Sequence, residues 1–381
     1  MEAIVIIGSG LAGYTLAREL RKHAPELPLH IITHGDGAFY SKPMLSNALA
    51  KGKTAETLAS AGAEQMATQL NATVWSHTEV TAIDTTAHTV AARGGIVPYA
   101  KLVLAIGAQP IRPPLEGDGA AAVYSINNLA DYARFRQGIE RAQRIAVIGP
   151  GLIGCEFAND LAQAGKAVTV IGPSAAPLDR LLPPEAGRAL QEALAAIGIE
   201  WRLGVTVQRI DRWDGALSLR LSDGSIVEAD AVLSAVGLRP NTALAQAAGI
   251  KINRGIVVDR YLESSAPDVY ALGDCAEVAG LVLPFVMPIM QAARALAQTL
   301  AGNRTAVAYP AMPVVVKTPA HAVVVSPPPS GREGQWHISG DSTGIRALYR
   351  DANNKLLGFA LTGSATADKQ ALTKELPPWL E

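Results

Sequence analysis

Two glycine turns carry the clearest chemistry in the chain. Gly8-Ser9-Gly10-Leu11-Ala12-Gly13 and Gly149-Pro150-Gly151-Leu152-Ile153-Gly154 share one spacing. In such a turn the first glycine permits a tight bend, the second lets backbone approach a pyrophosphate, and the third lets helix and strand pack closely. The following helix presents free N–H groups and partial positive charge to the phosphates. An ordinary βα turn also uses glycine, so context decides: each turn here follows an apolar strand and opens a helical pattern. A third feature is Gly273-Asp274, which ends a β-branched and aromatic run. A carboxylate there serves either as a helix N-cap or as an acceptor for a ribityl hydroxyl. Beside two dinucleotide turns the second role is the reading taken. The combination is that of an oxidoreductase with a bound flavin and a pyridine-nucleotide co-substrate.

Ribose recognition is less plainly written. A carboxylate about 20 residues after such a turn is the usual partner of an adenosine ribose. In the first copy Asp36 lies near that distance, yet Gly35 stands where the acid is most natural. Thr33 and His34 are alternative partners, and Asp36 reads equally well as a solvated loop residue. The second copy has no carboxylate and no arginine between Ala167 and Leu178. Arg180 is the nearest cation, and Ser174 can bond to either coenzyme. The residues by themselves leave NADH against NADPH open.

The elements that position these groups repeat along the chain. Residues 3–13 read AIVIIGSGLAG and residues 144–154 read RIAVIGPGLIG. Each is a strand, a glycine turn and a helix, followed by a β-branched run at His30–Thr33 or Val168–Ile171. That is the βαβ order twice, so the fold expected is α/β, with two doubly wound Rossmann-like dinucleotide-binding domains. Each unit is echoed by a strand running into a Gly turn and a Pro, at Lys101–Pro110 and Asp230–Asn241, where the chain crosses to its partner unit. Strands resume between Gly255 and Cys275, and a helix is expected over Pro288–Leu300. The last segment differs. It has a Val-rich stretch broken by prolines at Pro310–Val325, strands at Gln335–Ser339, Ile345–Tyr349 and Leu356–Leu361, and a turn at Asp351–Asn354. A small α+β C-terminal domain is expected. The division expected is residues 1–110 with 240–312 for FAD, 111–239 for NADH, and 313–381 as a domain covering the flavin.

Composition narrows the class further. The 381 residues are 49% hydrophobic and 18% charged, enough for large cores and too apolar for disorder. A net charge of -1 gives no sign of a nucleic-acid footprint. Cys155 and Cys275 form no CxxC or zinc spacing, so no metal site or disulfide framework is expected, and a cytoplasmic setting fits. Both thiols read as buried packing. The first residues lack the pattern of a signal peptide, and no apolar run reaches the ~18 residues of a membrane span.

The two glycine turns and Tyr270-Ala271-Leu272-Gly273-Asp274-Cys275-Ala276, in this order, resemble the FAD-dependent pyridine nucleotide-disulfide reductase superfamily over essentially the whole chain. Within it, Tyr40-Ser41-Lys42-Pro43-Met44-Leu45-Ser46 resembles rubredoxin reductases and the flavorubredoxin reductases close to them, and Ile256–Arg260, Val314-Val315-Val316-Lys317-Thr318-Pro319 and the short C-terminal domain resemble rubredoxin reductases. Related ferredoxin reductases usually carry Arg where Lys42 stands. The chain departs from the disulfide branch, which needs a CxxxxC pair beside the flavin: Phe39 to Ala50 contains no cysteine. The same absence removes the branches that use a single redox cysteine there.

The resemblance implies FAD as bound cofactor, NADH as donor and rubredoxin as acceptor, typically serving alkane hydroxylation in bacteria. It implies hydride transfer from NADH to flavin N5, then two single-electron transfers to rubredoxin, with no general base. It pairs Lys42 with Glu156 near N5. It brings Lys317 to the ring from the other side, Val286 to the ring through its backbone, and Val80 to the adenine through its backbone. Rubredoxins are small and acidic, so Lys42, Lys51 and Lys53 are candidates for a steering patch, or else solvated loop lysines. Two rivals are a ferredoxin or flavorubredoxin reductase with the same NADH half-reaction, and a flavin-bound NADH sensor.

Overall fold

The computed structural model describes residues 3–329 and 331–381. Ile4–Ile7 is apolar at every position and fully buried, the pattern of a strand covered on both faces. It lies in the middle of a parallel sheet whose spatial order is Val269–Ala271, Lys101–Leu104, Ile4–Ile7, Leu29–Ile32 and Thr73–Trp75. The helix Leu11–His23 packs along the helix Val286–Leu300. The later helix begins two residues before the expected Pro288. Proline is tolerated in a first turn because its missing N–H would have no partner there.

The second unit repeats the first. Its parallel sheet runs Ile199–Leu203, Ala167–Gly172, Arg144–Ile148 and Ala231–Ser234, with the helix Leu152–Gln163 after the glycine turn. The repeat extends to single hydrogen bonds. The Gly8 amide donates to Ile32 O at 2.8 Å, and the Gly149 amide donates to Ile171 O at 2.8 Å. The Gly-Pro echoes meet each other: Ala108–Pro110 pairs antiparallel with Leu238–Pro240, which ties the two crossings into one ribbon.

Each unit also contains an antiparallel meander that was not anticipated. One is Val80–Asp84, Thr89–Ala92 and Gly95–Pro98; the other is Val207–Trp213, Ala216–Leu221 and Ile226–Ala229. The first feeds directly into Lys101–Leu104 and the second into Ala231–Ser234. In Ala216–Leu221 the leucines are buried and the residues between them are not, the period of two expected for a half-covered strand.

The C-terminal segment is a five-stranded antiparallel sheet in the order Val314–Val316, Val323–Ser326, Leu356–Thr362, Gly344–Arg350 and Gln335–Asp341. The proline-broken stretch thus supplies two strands, and a short helix at Lys369–Glu375 follows the sheet. One continuous apolar core joins Leu45 and Ala48, Phe135 and Phe157 of the second unit, and Val316, Val323 and Ile345 of the C-terminal sheet. Among the described residues no helix is long and apolar enough to cross a membrane.

Candidate functional site

The glycines of the two turns divide by what demands them. A Cβ on Gly8 would lie 2.2 Å from Ala105 O, at φ +111°, and one on Gly149 would lie 2.6 Å from Ala235 O, at φ +110°. On Gly13 and Gly154 it would meet the carbonyls of Gly8 and Gly149 at 2.0 and 1.8 Å. The protein's own packing therefore requires the first and third glycines. The middle ones differ: a Cβ on Gly10 or Gly151 would meet no atom within 4 Å. Each is the N-cap of its helix, with no side chain capping the first N–H groups and no acid in the first turn. Two helix mouths with bare donors and a bare approach suit two diphosphates.

The first mouth has a distinct rim. Ser9 is buried, and its hydroxyl donates to Thr33 Oγ1 at 3.0 Å. Thr33 therefore faces the turn, while His34 is exposed. Asp36 is also exposed and accepts from the Ala38 amide at 3.0 Å, as a loop turn residue does. The Thr78 amide donates to Thr33 O at 2.8 Å, which ties the segment leading to Val80 onto the same strand end. Leu11 is half-buried and Ala12 buried. Gly273, at φ +81°, approaches Ala12 so closely that a Cβ would sit 2.8 Å from the alanine methyl. That contact holds Asp274 at the mouth of the first helix.

Lys42 opens the short 3₁₀ helix Lys42–Asn47, and its Nζ lies 3.9 Å from Asp274 Oδ2. Burial lowers the Lys42 ammonium from its ordinary value, with Asp274 and then Asp131 opposing; burial likewise raises the Asp274 carboxyl against Lys42. The pair is too long for a hydrogen bond. Both groups keep bonding capacity for a polar ligand.

The expected pairing of Glu156 with Lys42 is not formed: Glu156 is held by Lys317, and Lys42 faces Asp274. The carboxylate is fully buried. Its Oε1 accepts the Lys317 amide at 2.8 Å, and its Oε2 accepts both the Lys317 ammonium and the Ser46 hydroxyl, the latter at 2.5 Å. Lys317 Nζ also reaches Ser46 Oγ at 3.2 Å, and Asn47 Nδ2 donates to Lys317 O at 3.2 Å. Geometry explains the exchange. Lys42 lies at the start of its 3₁₀ helix and faces Asp274, whereas Ser46, one turn on, faces Glu156.

One helix face thus clasps two distant segments. Asn159 Oδ1 accepts the Ala320 amide at 3.2 Å, and Asp160 accepts the Leu49 and Ala50 amides at 2.8 and 3.1 Å. Glu156, Asn159 and Asp160 follow the i, i+3, i+4 spacing that stacks side chains on one face. Sequence reasoning missed Ser46, Asn159 and Asp160. The available signal was three polar residues interleaved with the apolar face of Leu152–Gln163. Val286 starts its helix exposed, without a capping side chain before it. Both cysteines are buried packing residues: burial raises each thiol to about 12.

Residues 2–299 match the family described as pyridine nucleotide-disulphide oxidoreductase. The chain belongs to that family. Residues 306–376 match a second description, rubredoxin binding C-terminal domain. A rubredoxin-NAD(+) reductase of Alcanivorax borkumensis is 48% identical over 378 residues, 99% of each chain. A nitric oxide reductase FlRd-NAD(+) reductase of Vibrio vulnificus is 40% identical, with 98% of each chain covered. A crystal structure of a ferredoxin reductase from Rhodopseudomonas palustris has a TM-score of 0.89 at 25% identity, covering 99% of this chain and 96% of that one. The clasp around Glu156 sits where the first unit, the second unit and the C-terminal sheet of this chain come together.

Proposed function

We propose that this chain is an FAD-dependent NADH:rubredoxin reductase. The observation that carries the reading is the joint match: the reductase family over residues 2–299 and a rubredoxin-binding description over 306–376. The relative at 48% identity is itself a rubredoxin-NAD(+) reductase, whereas the flavorubredoxin-type relative stands at 40%. Bound FAD supplies the conversion of a hydride's electron pair into single electrons.

The chain's residues then divide the work. The Gly8–Gly13 turn and the first helix mouth hold the FAD pyrophosphate, and Asp274 accepts a ribityl hydroxyl. Thr33, His34 and the backbone at Val80 line the adenosine end. Gly149, Gly151 and Gly154 receive the coenzyme diphosphate. Lys42 and Lys317 place two cations beside the flavin, with Val286 at its rim, and Glu156 fixes Lys317. Residues 1–110 and 240–312 form the FAD domain, 111–239 the NADH domain and 313–381 the cover. A cytoplasmic setting is supported by two free buried thiols, and an alkane hydroxylase is the proposed downstream consumer.

The test is a matched acceptor panel. Purified protein loaded with FAD should reduce rubredoxin with NADH at least about tenfold faster than it reduces a ferredoxin or a flavorubredoxin rubredoxin domain. Equal or higher rates with the other acceptors would refute the reading. A flavin that NADH reduces but no one-electron acceptor reoxidises would support the sensor.

A further inference from the structure

Asp160 is a buried carboxylate that the proposed electron route does not use. It is 3% exposed, and its partners are backbone donors: Oδ2 accepts the Leu49 amide at 2.8 Å and Oδ1 accepts the Ala50 amide at 3.1 Å. Burial raises the carboxyl from its ordinary value, opposed by these two amides and by the charge of Lys51. Successive amides aimed at one point make a small cradle for an anion. A carboxylate, with two acceptor oxygens and no donor, fills it; an amide side chain would turn an NH2 group toward one of the donors.

The two amides open a tight turn. Gly52, at φ +64°, closes it: its amide donates to Leu49 O and the Lys53 amide donates to Ala48 O, each at 2.9 Å. The far end is held as well. Lys53 O accepts the Tyr132 hydroxyl at 2.9 Å and a guanidinium N–H of Arg136. Asp160, Tyr132 and Arg136 all belong to the second unit, whereas the turn belongs in sequence to the first. The turn is thus seated on the second unit at both ends, and it presents Lys51 and Lys53 to solvent. It follows directly on the 3₁₀ helix Lys42–Asn47, whose first residue faces Asp274.

We infer that Asp160 is a positioning residue for the acceptor: it seats the Lys51–Lys53 turn so that both ammonium groups stand at a fixed place on the surface an acidic electron carrier approaches. The inference rests on the rubredoxin reading proposed above and on these lysines steering the partner. Steering depends on where charge is held, and it governs association more than the chemical step. Removing Asp160 has two opposed effects. Losing a negative charge makes the surface more positive, which favours an acidic partner. Losing the cradle frees the turn and disperses its two cations. The second decides the sign, because the carboxylate lies buried with two amide dipoles opposing its charge.

Asp160→Ala tests this in the FAD-loaded protein. At low salt kcat/KM for rubredoxin should fall about threefold or more, through KM, while kcat at saturating rubredoxin and the rate of flavin reduction by NADH keep the parent's values. At high salt the gap should close, as screening removes the pull of the lysines. Reversing the charges of Lys51 and Lys53 should slow the parent more than it slows Asp160→Ala, since both changes act through the same cations. Asp160→Asn keeps one oxygen for one amide; it should show the same sign at smaller size, and it carries the test if the alanine variant does not fold. Unchanged or faster rubredoxin reduction, an equal loss of flavin reduction, or additive effects in the combined variant would overturn the inference. A parent protein that rubredoxin does not reoxidise would overturn the rubredoxin reading itself.

Discussion

Replacing Lys317 with methionine should destabilise the protein more than replacing Lys317 and Glu156 together. In the parent, Glu156 has no exposed surface and three donors: the Lys317 amide, the Ser46 hydroxyl and the Lys317 ammonium. Lys317→Met removes the counter-cation and leaves the carboxylate buried on two neutral donors. Breaking a buried ion pair in this way typically costs about 3–5 kcal/mol. Because the Lys317 side chain retains 27% exposure and two donors remain, a smaller cost, about 2–3 kcal/mol, is expected here. Glu156→Gln keeps an oxygen for the Lys317 amide and lets the ammonium turn to water, at about 1–2 kcal/mol. The double variant orphans no charge and should fall close to Glu156→Gln alone, a coupling of roughly 2–3 kcal/mol. At about 2–4 °C per kcal/mol for a unit of 150–250 residues, Lys317→Met should melt roughly 4–12 °C below the parent. Thermal unfolding of the four proteins at one fixed FAD concentration measures this, since ligand binding also moves the midpoint. Additive losses, or an unchanged midpoint for Lys317→Met, would refute the buried clasp.

The middle glycines give a separation of sites. Gly10→Val and Gly151→Val should both leave the fold intact, because a Cβ meets no atom within 4 Å there. The first should strip FAD from the purified protein; the second should keep FAD and raise the NADH KM by about tenfold or more. Retained FAD in Gly10→Val, or an unchanged KM in Gly151→Val, would contradict the assignment. Acid should weaken the fold through one half-buried and one buried imidazole. Burial lowers both His30 and His321, and His30 Nδ1 and His321 Nε2 have no partner among the described residues. A depressed folded value gives stability that is present above the unfolded pKa of about 6.5 and is lost as pH falls through the folded value. Urea midpoints should therefore drop below about pH 6.5, and His30→Leu or His321→Leu should flatten the drop; equal slopes would contradict this. Lys51 and Lys53 are both exposed. Reversing both charges should slow rubredoxin reduction roughly threefold to tenfold at low salt and leave flavin reduction by NADH intact. Unchanged rubredoxin kinetics would remove them from the docking surface.

Local chemistry made the nucleotide turns legible. A glycine whose Cβ would strike its neighbour's carbonyl leaves a fixed spacing in the chain, and Gly8, Gly13, Gly149 and Gly154 all obey it. The parallel strands were readable because Ile4–Ile7 and Arg144–Ile148 are apolar runs of strand length. The meanders were harder to see, since Val80–Asp84 has only Ile83 buried and its alternation is faint. The partner of Glu156 could not be read at all. Ser46, Glu156 and Lys317 come from three remote parts of the chain, and which lysine reaches the carboxylate depends on the turn of a six-residue 3₁₀ helix.

Electrons from NADH should leave through the bound flavin to rubredoxin, and double-mixing stopped-flow follows both transfers. FAD-loaded protein is first mixed anaerobically with one equivalent of NADH, and after the flavin colour bleaches it is mixed with oxidised rubredoxin. Bleaching should be faster than steady-state turnover, and the flavin colour should then return with reduction of two rubredoxins for each flavin. Bleaching without reoxidation by rubredoxin, or one rubredoxin reduced for each NADH consumed, would contradict this route.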